Sequence, residues 1–385
     1  MTGLPRTYLS VTGAGIAQDR VFDPALKQYP SAYRAGEPQF TDVREGRRWR
    51  EARRAALEQL VRAVAASSWS DRLVLRGSML LKAWYGEAAR EPGDLDFVVT
   101  PSTWMLDDSE TAEMFAGIAR AAEHGEVAID AAATVTDDIW TYERVPGRRL
   151  VLPWHADGLP SGSVQLDFTF NETLPLPPEP TRVAGAEVQA ATPALSLAWK
   201  LQWLLNDLYP QAKDLYDAVL LAGHARVSHR LFRELAVAAD PFYARNPLSL
   251  DGFSLDKVDW SGFQVPVDRR SLVDEVTAVL TEILAEPLPE PDSEYERRAL
   301  WLAPRIADCR TVLADAGEDA ALHWLGEQNL LFEDQALIVR EAIGCSLREA
   351  ASKMLALLQS WNDSFVRRAD QLLARIEVFE PDSHP

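Results

Sequence analysis

The 385-residue chain is poor in cysteine, in lysine and in long apolar runs. Its two cysteines, Cys309 and Cys345, cannot make a disulfide framework or a thiolate zinc site. Of six histidines, only His224 and His229 lie within five residues of each other, so no metal cluster is visible. No stretch approaches the roughly 18 apolar residues that cross a bilayer. Met1 to Ser10 lacks a basic segment followed by an apolar core, so no signal peptide is expected and the cytoplasm is the expected location. Positive charge is also scarce. Lys and Arg number 39 against 58 Asp and Glu, a net charge of −19. Such a surface resists non-specific attraction to nucleic-acid phosphates, so any nucleic-acid contact must be local.

What is present is the material of a globular core. Hydrophobic residues make up 47% and charged residues 25%, which excludes a mainly disordered, collagenous or coiled-coil chain. The length suggests two or three domains, at about 150 residues each. Residues 1–40 show no periodicity and read as an N-terminal arm. Leu57, Leu60, Val61 and Val64 then fall at i, i+3, i+4 and i+7, which predicts an amphipathic helix over Arg44–Arg62. Seven arginines occupy its other faces. A solvated face explains them better than a local phosphate-binding patch. Pro193 to Leu208 predicts a helix apolar on two sides, with Leu197, Leu201, Leu204, Leu205 and Leu208 on one and Trp199 and Trp203 on the other. A further helix runs from about Ala212 to Ala222. The expected division is an arm at 1–40, a core at 41–225 and a helical domain at 226–385. Trp140 and Tyr142 are able to stack on a base, but such aromatic pairs belong more often to the core.

The chemistry concentrates in one ordered set. Leu73-Val74-Leu75 reads as a strand and Arg76-Gly77-Ser78 as a turn into a helix. A helix start offers free backbone N–H groups, joined here by the Ser78 hydroxyl, which suits phosphate oxygens. Gly77 lets a ligand approach the backbone closely. Fifteen residues later, Asp94-Leu95-Asp96 opens a strand. The strand period of two puts both carboxylates on one face, and paired hard oxygens favour magnesium. Asp167 sits in the cleanly alternating strand Ser163 to Phe170. Beside Asp94 and Asp96 it would make a repelling cluster that cations relieve. Two metal ions there would clamp a phosphoryl displacement.

Order and spacing resemble the DNA polymerase β-type nucleotidyltransferase superfamily, and within it the AbiEii/AbiGii nucleotidyltransferase toxins of abortive-infection systems. The likeness rests on Leu75-Arg76-Gly77-Ser78-Met79-Leu80-Leu81 and Arg90-Glu91-Pro92-Gly93-Asp94-Leu95-Asp96-Phe97. Pro92 stands where that family usually has Ser or Thr. The likeness continues in Ala198-Trp199-Lys200-Leu201 and Lys213-Asp214-Leu215-Tyr216-Asp217, and covers roughly residues 50–225. It implies an α/β (α+β) fold, with a mixed-sheet nucleotidyltransferase core and a mainly helical C-terminal domain. It also implies an enzyme that transfers a nucleoside monophosphate from an NTP, with the 3′ end of a tRNA as acceptor and an antitoxin protein as partner. Asp94, Asp96 and Asp167 would hold two magnesium ions, Gly77, Ser78 and Arg90 would bind the nucleotide, and Lys200 and Asp214 would serve catalysis.

Each of these residues has a plainer reading. Lys200 lies at the edge of the leucine stripe, where a snorkelling lysine with a buried stem is common; the alternative is a cation for the triphosphate. Asp214 suits a helix N-terminus on dipole grounds, and Asp217, three residues on, is the weaker candidate. Two other functions stay open. The charge of −19 favours a small cationic acceptor over RNA, as in an antibiotic-type adenylyltransferase. A non-catalytic nucleotide-binding or interaction module would have no use for three close carboxylates.

Overall fold

The computed structural model describes residues 3–141, 145–172, 174–207, 209–244, 246–260, 263, 265–288 and 293–377. Tyr142 and Leu208, named above, lie outside them. The chain forms two compact units, one of Met1–Val227 with Leu250–Glu282, the other of Ser228–Ser249 with Ile283–Pro385.

The first unit is built on a mixed sheet of eight strands. These are β5 (Leu73–Arg76), β6 (Asp94–Val99), β7 (Ala128–Ile129), β8 (Val135–Thr141), β9 (Val145–His155), β10 (Gly162–Thr169), β11 (Glu179–Val183) and β12 (Ala186–Ala190), in the spatial order β11-β12-β5-β6-β10-β9-β7, with β8 also paired to β9. β6 runs antiparallel to β5 and parallel to β10. Alternation divides the two faces of its centre. Leu95, Phe97, Leu166 and Phe168 are fully buried on one. That face is covered by α1 (Val43–Ala65) and α3 (Ser109–Ala121), with Phe115 of α3 at 4.9 Å from the Phe168 ring. Asp94, Asp96 and Asp167 therefore point to the opposite face. The predicted amphipathic helix is α1, whose Leu57, Leu60, Val61 and Val64 are buried and whose Arg44, Arg47, Arg48 and Arg50 are exposed. Trp140, expected in the core, is exposed on β8.

The rest of the first unit frames the carboxylate face. The arm is not featureless: β1 (Ile16–Ala17) pairs with β4 (Gln39–Phe40), and β2 (Arg20–Phe22) with β3 (Tyr33–Ala35). α2 (Ser78–Tyr85) leaves the Gly77 turn. α4 (Pro193–Asn206) starts at Thr192, whose hydroxyl accepts from the Leu195 N–H, with proline in its first turn. α5 (Ala212–Ala222) follows. The segment 250–282 stays with the sheet rather than joining the helical domain as the sequence suggested. The Ala212 N–H donates to the Asp259 carbonyl at 2.9 Å, and Tyr216 and Phe263 pack ring to ring.

The second unit is helical. α6 is His229–Ala239, and α7 (Arg269–Ala285) runs across the division. α8 (Glu294–Trp301), α9 (Ala303–Ala316), α10 (Glu318–Gly326), α11 (Phe332–Ile343), α12 (Leu347–Trp361), α13 (Asp363–Arg367) and α14 (Ala369–Glu377) complete it. Ile306, Cys309, Leu325, Phe332, Ile338 and Met354 anchor its apolar core.

Candidate active site

Strand register assembles the site. Arg76 of β5 faces Asp96 of β6, Asp96 faces Asp167 of β10, and Asp167 faces Arg149 of β9. Four charged side chains thus lie in one row across the sheet. Asp94 is one pleat away, opposite Gln165. Asp94 and Asp96 are half-buried, and neither side-chain carboxylate has a hydrogen bond or ion pair among the described residues. Burial, then the charges of Asp94 and Asp167, push the Asp96 carboxyl up to about 7, against the pull of Arg76 and Lys213.

Gly77 is placed by two independent constraints. Its φ of +80° and ψ of −157° belong to a region used almost only by glycine. A Cβ at this position would also overlap the Asp96 carboxylate. Next to it, the Ser78 hydroxyl is buried without a hydrogen-bond partner. A buried hydroxyl is usually satisfied, so an unpaired one beside two open carboxylates and a helix N-terminus marks a place for a polar ligand. Gly77→Ala is expected to cost about 1–3 kcal/mol in stability from backbone strain alone. It should also displace Asp96, so thermal melting and activity should fall together.

Asp167 differs from its two neighbours. Arg149 grips it bidentately, Nε to Oδ1 at 2.9 Å and Nη2 to Oδ2 at 2.8 Å, and Gln165 donates to Oδ2 at 3.1 Å. The third arm of the guanidinium donates to Asp23 of the N-terminal arm at 2.7 Å. Burial presses Asp23 upward, but Arg149 and Arg34 hold it below the usual carboxylate range. Asp167 is raised, because burial outweighs its bonds to Arg149. Among the described residues, no group of three or more His, Cys, Asp or Glu is arranged to hold a metal ion.

A second cluster adjoins the first. Lys200 of α4 donates to Asp214 at 2.7 Å and lies 3.0 Å from Asp217, both on α5. Arg90 closes the cluster, with three contacts to Asp217 between 3.0 and 3.2 Å. Asp217 is 0% exposed. Burial would raise its carboxyl, yet Arg90 and Lys200 hold it below the usual range. The charge of Asp94 also acts on Arg90, which ties the two clusters together.

Gly77, Ser78, Arg90, Asp94, Asp96, Asp167, Lys200 and Asp214 all belong to the first unit, where Lys200 meets carboxylates rather than open space. Sequence reading missed Arg149 and Asp23, and left Arg76 and Lys213 without roles. Arg76 is buried, donates to Glu172 at 2.7 Å and to Thr169 at 2.9 Å, and lies over the Trp199 ring at 5.0 Å. Lys213 is half-buried, and its charge acts on both Asp96 and Asp23. An arginine within the apolar run Leu150-Val151-Leu152 and Arg148-Arg149 was the one signal for Arg149; Asp23 had none.

The donor set fits magnesium. Asp94 and Asp96 supply two oxygens, and this ion takes one or two carboxylates and completes its shell with water and substrate phosphate. Its repulsion-relieving charge is what a half-buried carboxylate pair lacks.

Comparison with known proteins gives one family match. A family model described as the nucleotidyl transferase AbiEii toxin of a type IV toxin–antitoxin system matches residues 59–303. No curated protein matches the chain. Among solved structures, the crystal structure of JHP933 from Helicobacter pylori is similar over 61% of this chain and 92% of its own, at 16% identity and a TM-score of 0.39; that likeness is too distant to bear on function.

Proposed function

The chain belongs to the AbiEii nucleotidyl transferase toxin family, and from that premise we propose that it moves a nucleoside monophosphate from an NTP to an acceptor hydroxyl, with release of pyrophosphate. One observation carries the reading. Asp94 and Asp96 stand unpaired beside a glycine turn that presents an orphaned serine hydroxyl and a helix N-terminus. Phosphoryl transfer needs mainly positioning and charge stabilisation, and this arrangement supplies both.

The residues divide the work. Asp94 and Asp96 would hold magnesium on the triphosphate, where the ion neutralises phosphate charge and orients the reacting phosphorus. Gly77 and Ser78 cradle phosphate oxygens through backbone N–H groups and the hydroxyl. Arg76, Arg90 and Lys213 are cations in electrostatic reach of the two open carboxylates, Arg90 of Asp94 and the other two of Asp96. Lys200, itself bonded to Asp214, holds Asp217 and through it Arg90. Asp167, with its raised affinity for a proton, is the base for the acceptor hydroxyl. A second ion at Asp167 would require Arg149 to release one Asp167 oxygen, and Asp23, already bonded to the same guanidinium, is the group onto which the guanidinium would shift.

The acceptor we propose is RNA, specifically the 3′ end of a tRNA. The protein would then act in the cytoplasm as a toxin restrained by an antitoxin. A second reading, a small cationic acceptor, draws on the net charge of −19. One assay separates them: protein, magnesium, each labelled NTP in turn, and total RNA. Label in an RNA band, absent with Asp94→Ala, is the expected result. Label confined to small molecules would favour the second reading, and no transfer with any NTP would overturn the enzyme reading.

A further inference from the structure

Next to Asp23 in the arm lies a cluster of exposed aromatic rings. Phe22, Tyr33 and Tyr209 are 38%, 39% and 42% exposed. They nevertheless meet. Phe22 and Tyr209 pack edge to face with centroids 5.2 Å apart, and Phe22 and Tyr33 do so at 6.4 Å. The first two residues come from the β2–β3 hairpin of the arm and the third from the connection between α4 and α5. Contiguous exposed apolar groups mark binding surfaces.

Position gives the cluster its meaning. Phe22 precedes Asp23, which holds Arg149, which holds Asp167. Tyr209 joins the helix of Lys200 to the helix of Lys213 and Asp214. The Lys27 ammonium lies 4.5 Å from the Tyr209 ring centroid. Lys213 acts electrostatically on Asp23 on one side and on Asp96 on the other. The surface therefore combines flat π-faces with two ammonium groups, at the edge of a phosphate-directed site. It fits one ligand chemistry, a planar nucleobase joined to phosphate.

Building on the transferase reading, we propose that Phe22, Tyr33 and Tyr209 form a stacking platform for a nucleobase, with Lys27 and Lys213 serving the attached phosphate. The base belongs either to the incoming NTP or to the end of a nucleic-acid acceptor. Stacking tolerates any base because every base has a π-face, so discrimination among the four bases at this position should be weak.

The test uses the full-length protein with magnesium and two probes: each NTP by calorimetry, and single-stranded 8-mers of oligoadenylate and oligocytidylate by fluorescence anisotropy. Tyr209→Ala and Phe22→Ala should each weaken binding of one probe by roughly five- to a hundredfold, the range expected for loss of one stacked base. Loss for NTPs alone assigns the platform to the donor base, and loss for the 8-mers alone assigns it to the acceptor. Tyr209→Trp should restore binding, whereas Tyr209→Leu, which keeps apolar bulk without a π-face, should not. Melting temperature monitors folding, and binding is compared well below it for every variant. Variants that bind both probes within twofold of the wild type overturn the platform, as does rescue by Tyr209→Leu. If the wild type transfers label while the variants bind normally, the platform alone fails. If the wild type binds no NTP and transfers nothing, the transferase reading fails and takes the platform with it.

Discussion

Asp96→Asn should abolish nucleotidyl transfer and at the same time make the metal-free protein more stable. The loss follows from position. Asp96 sits between Arg76 and Asp167 in the strand register, with Asp94 one pleat away and no hydrogen bond of its own among the described residues. An amide in its place cannot bind a cation with the same charge. The expected loss in rate is on the order of 10^3-fold or more, as when a preorganised electrostatic group is removed from a site of this kind. The gain in stability has the same origin. Asparagine keeps the shape and removes a charge held close to two others. Relief of about 1 kcal/mol would raise the melting temperature by roughly 2–4 °C in a unit of this size. Unchanged activity would remove Asp96 from the site. A lower melting temperature, with activity lost, would mean that the carboxylate is structural instead.

The pH dependence of melting follows, and its sign can be worked out. Asp96 is raised from the ordinary 3.8 to about 7 in the folded protein. Between those values the folded state binds a proton that the unfolded state has released. Stability therefore falls as pH rises from about 4 to about 7, and levels off above that. The measurement is melting in EDTA across this range, with Asp96→Asn flattening the decline. Magnesium supplies opposite charge and should restore stability most at pH 7–8, where the carboxylates are ionised.

Much of this arrangement was legible because strand periodicity is strict. Asp94 and Asp96 had to share a face, and Asp167 had to oppose the apolar Leu166 and Phe168; register then placed all three together. Gly77 was readable as a turn, but its close approach to Asp96 depends on β5–β6 pairing and is not a local property. The arm escaped because its pieces are two- and three-residue strands, too short to show periodicity. The contribution of Asp23 also depends on Arg149, 126 positions away. Residues 250–282 belong with the sheet unit and not with the helices that follow, for a similar reason. Their attachment runs through backbone bonds between Asp259 and the Pro210–Ala212 turn, which no side-chain pattern records. The hydrophobic pattern of α1 was correct in kind, and the helix extends to Val43 because Asp42 caps it.

The largest loss of stability is expected at Asp217, the carboxylate that sequence reading ranked lowest. It is fully buried and bonded to Arg90 and Lys200, and Asp214 is the other carboxylate bonded within the cluster among the described residues. Asp217→Ala would leave one buried and one half-buried cation facing one anion. Breaking a buried ion pair on one side costs about 3–5 kcal/mol, roughly 6–20 °C of melting temperature in a unit of this size. Asp217→Asn keeps the volume and some hydrogen bonding and should lose less. The double variant Asp217→Ala/Arg90→Ala should cost less than the two single losses combined, since removing Arg90 also removes the stranded charge; a double-mutant cycle measures that coupling. Activity separates the structural from the positioning effect. Asp217→Asn, assayed well below its melting temperature, should still lose turnover, because Arg90 is released from its place beside Asp94. A melting temperature within about 2 °C of wild type for Asp217→Ala would show that water reaches the cluster, and the buried network would then not be what holds Arg90 at the site.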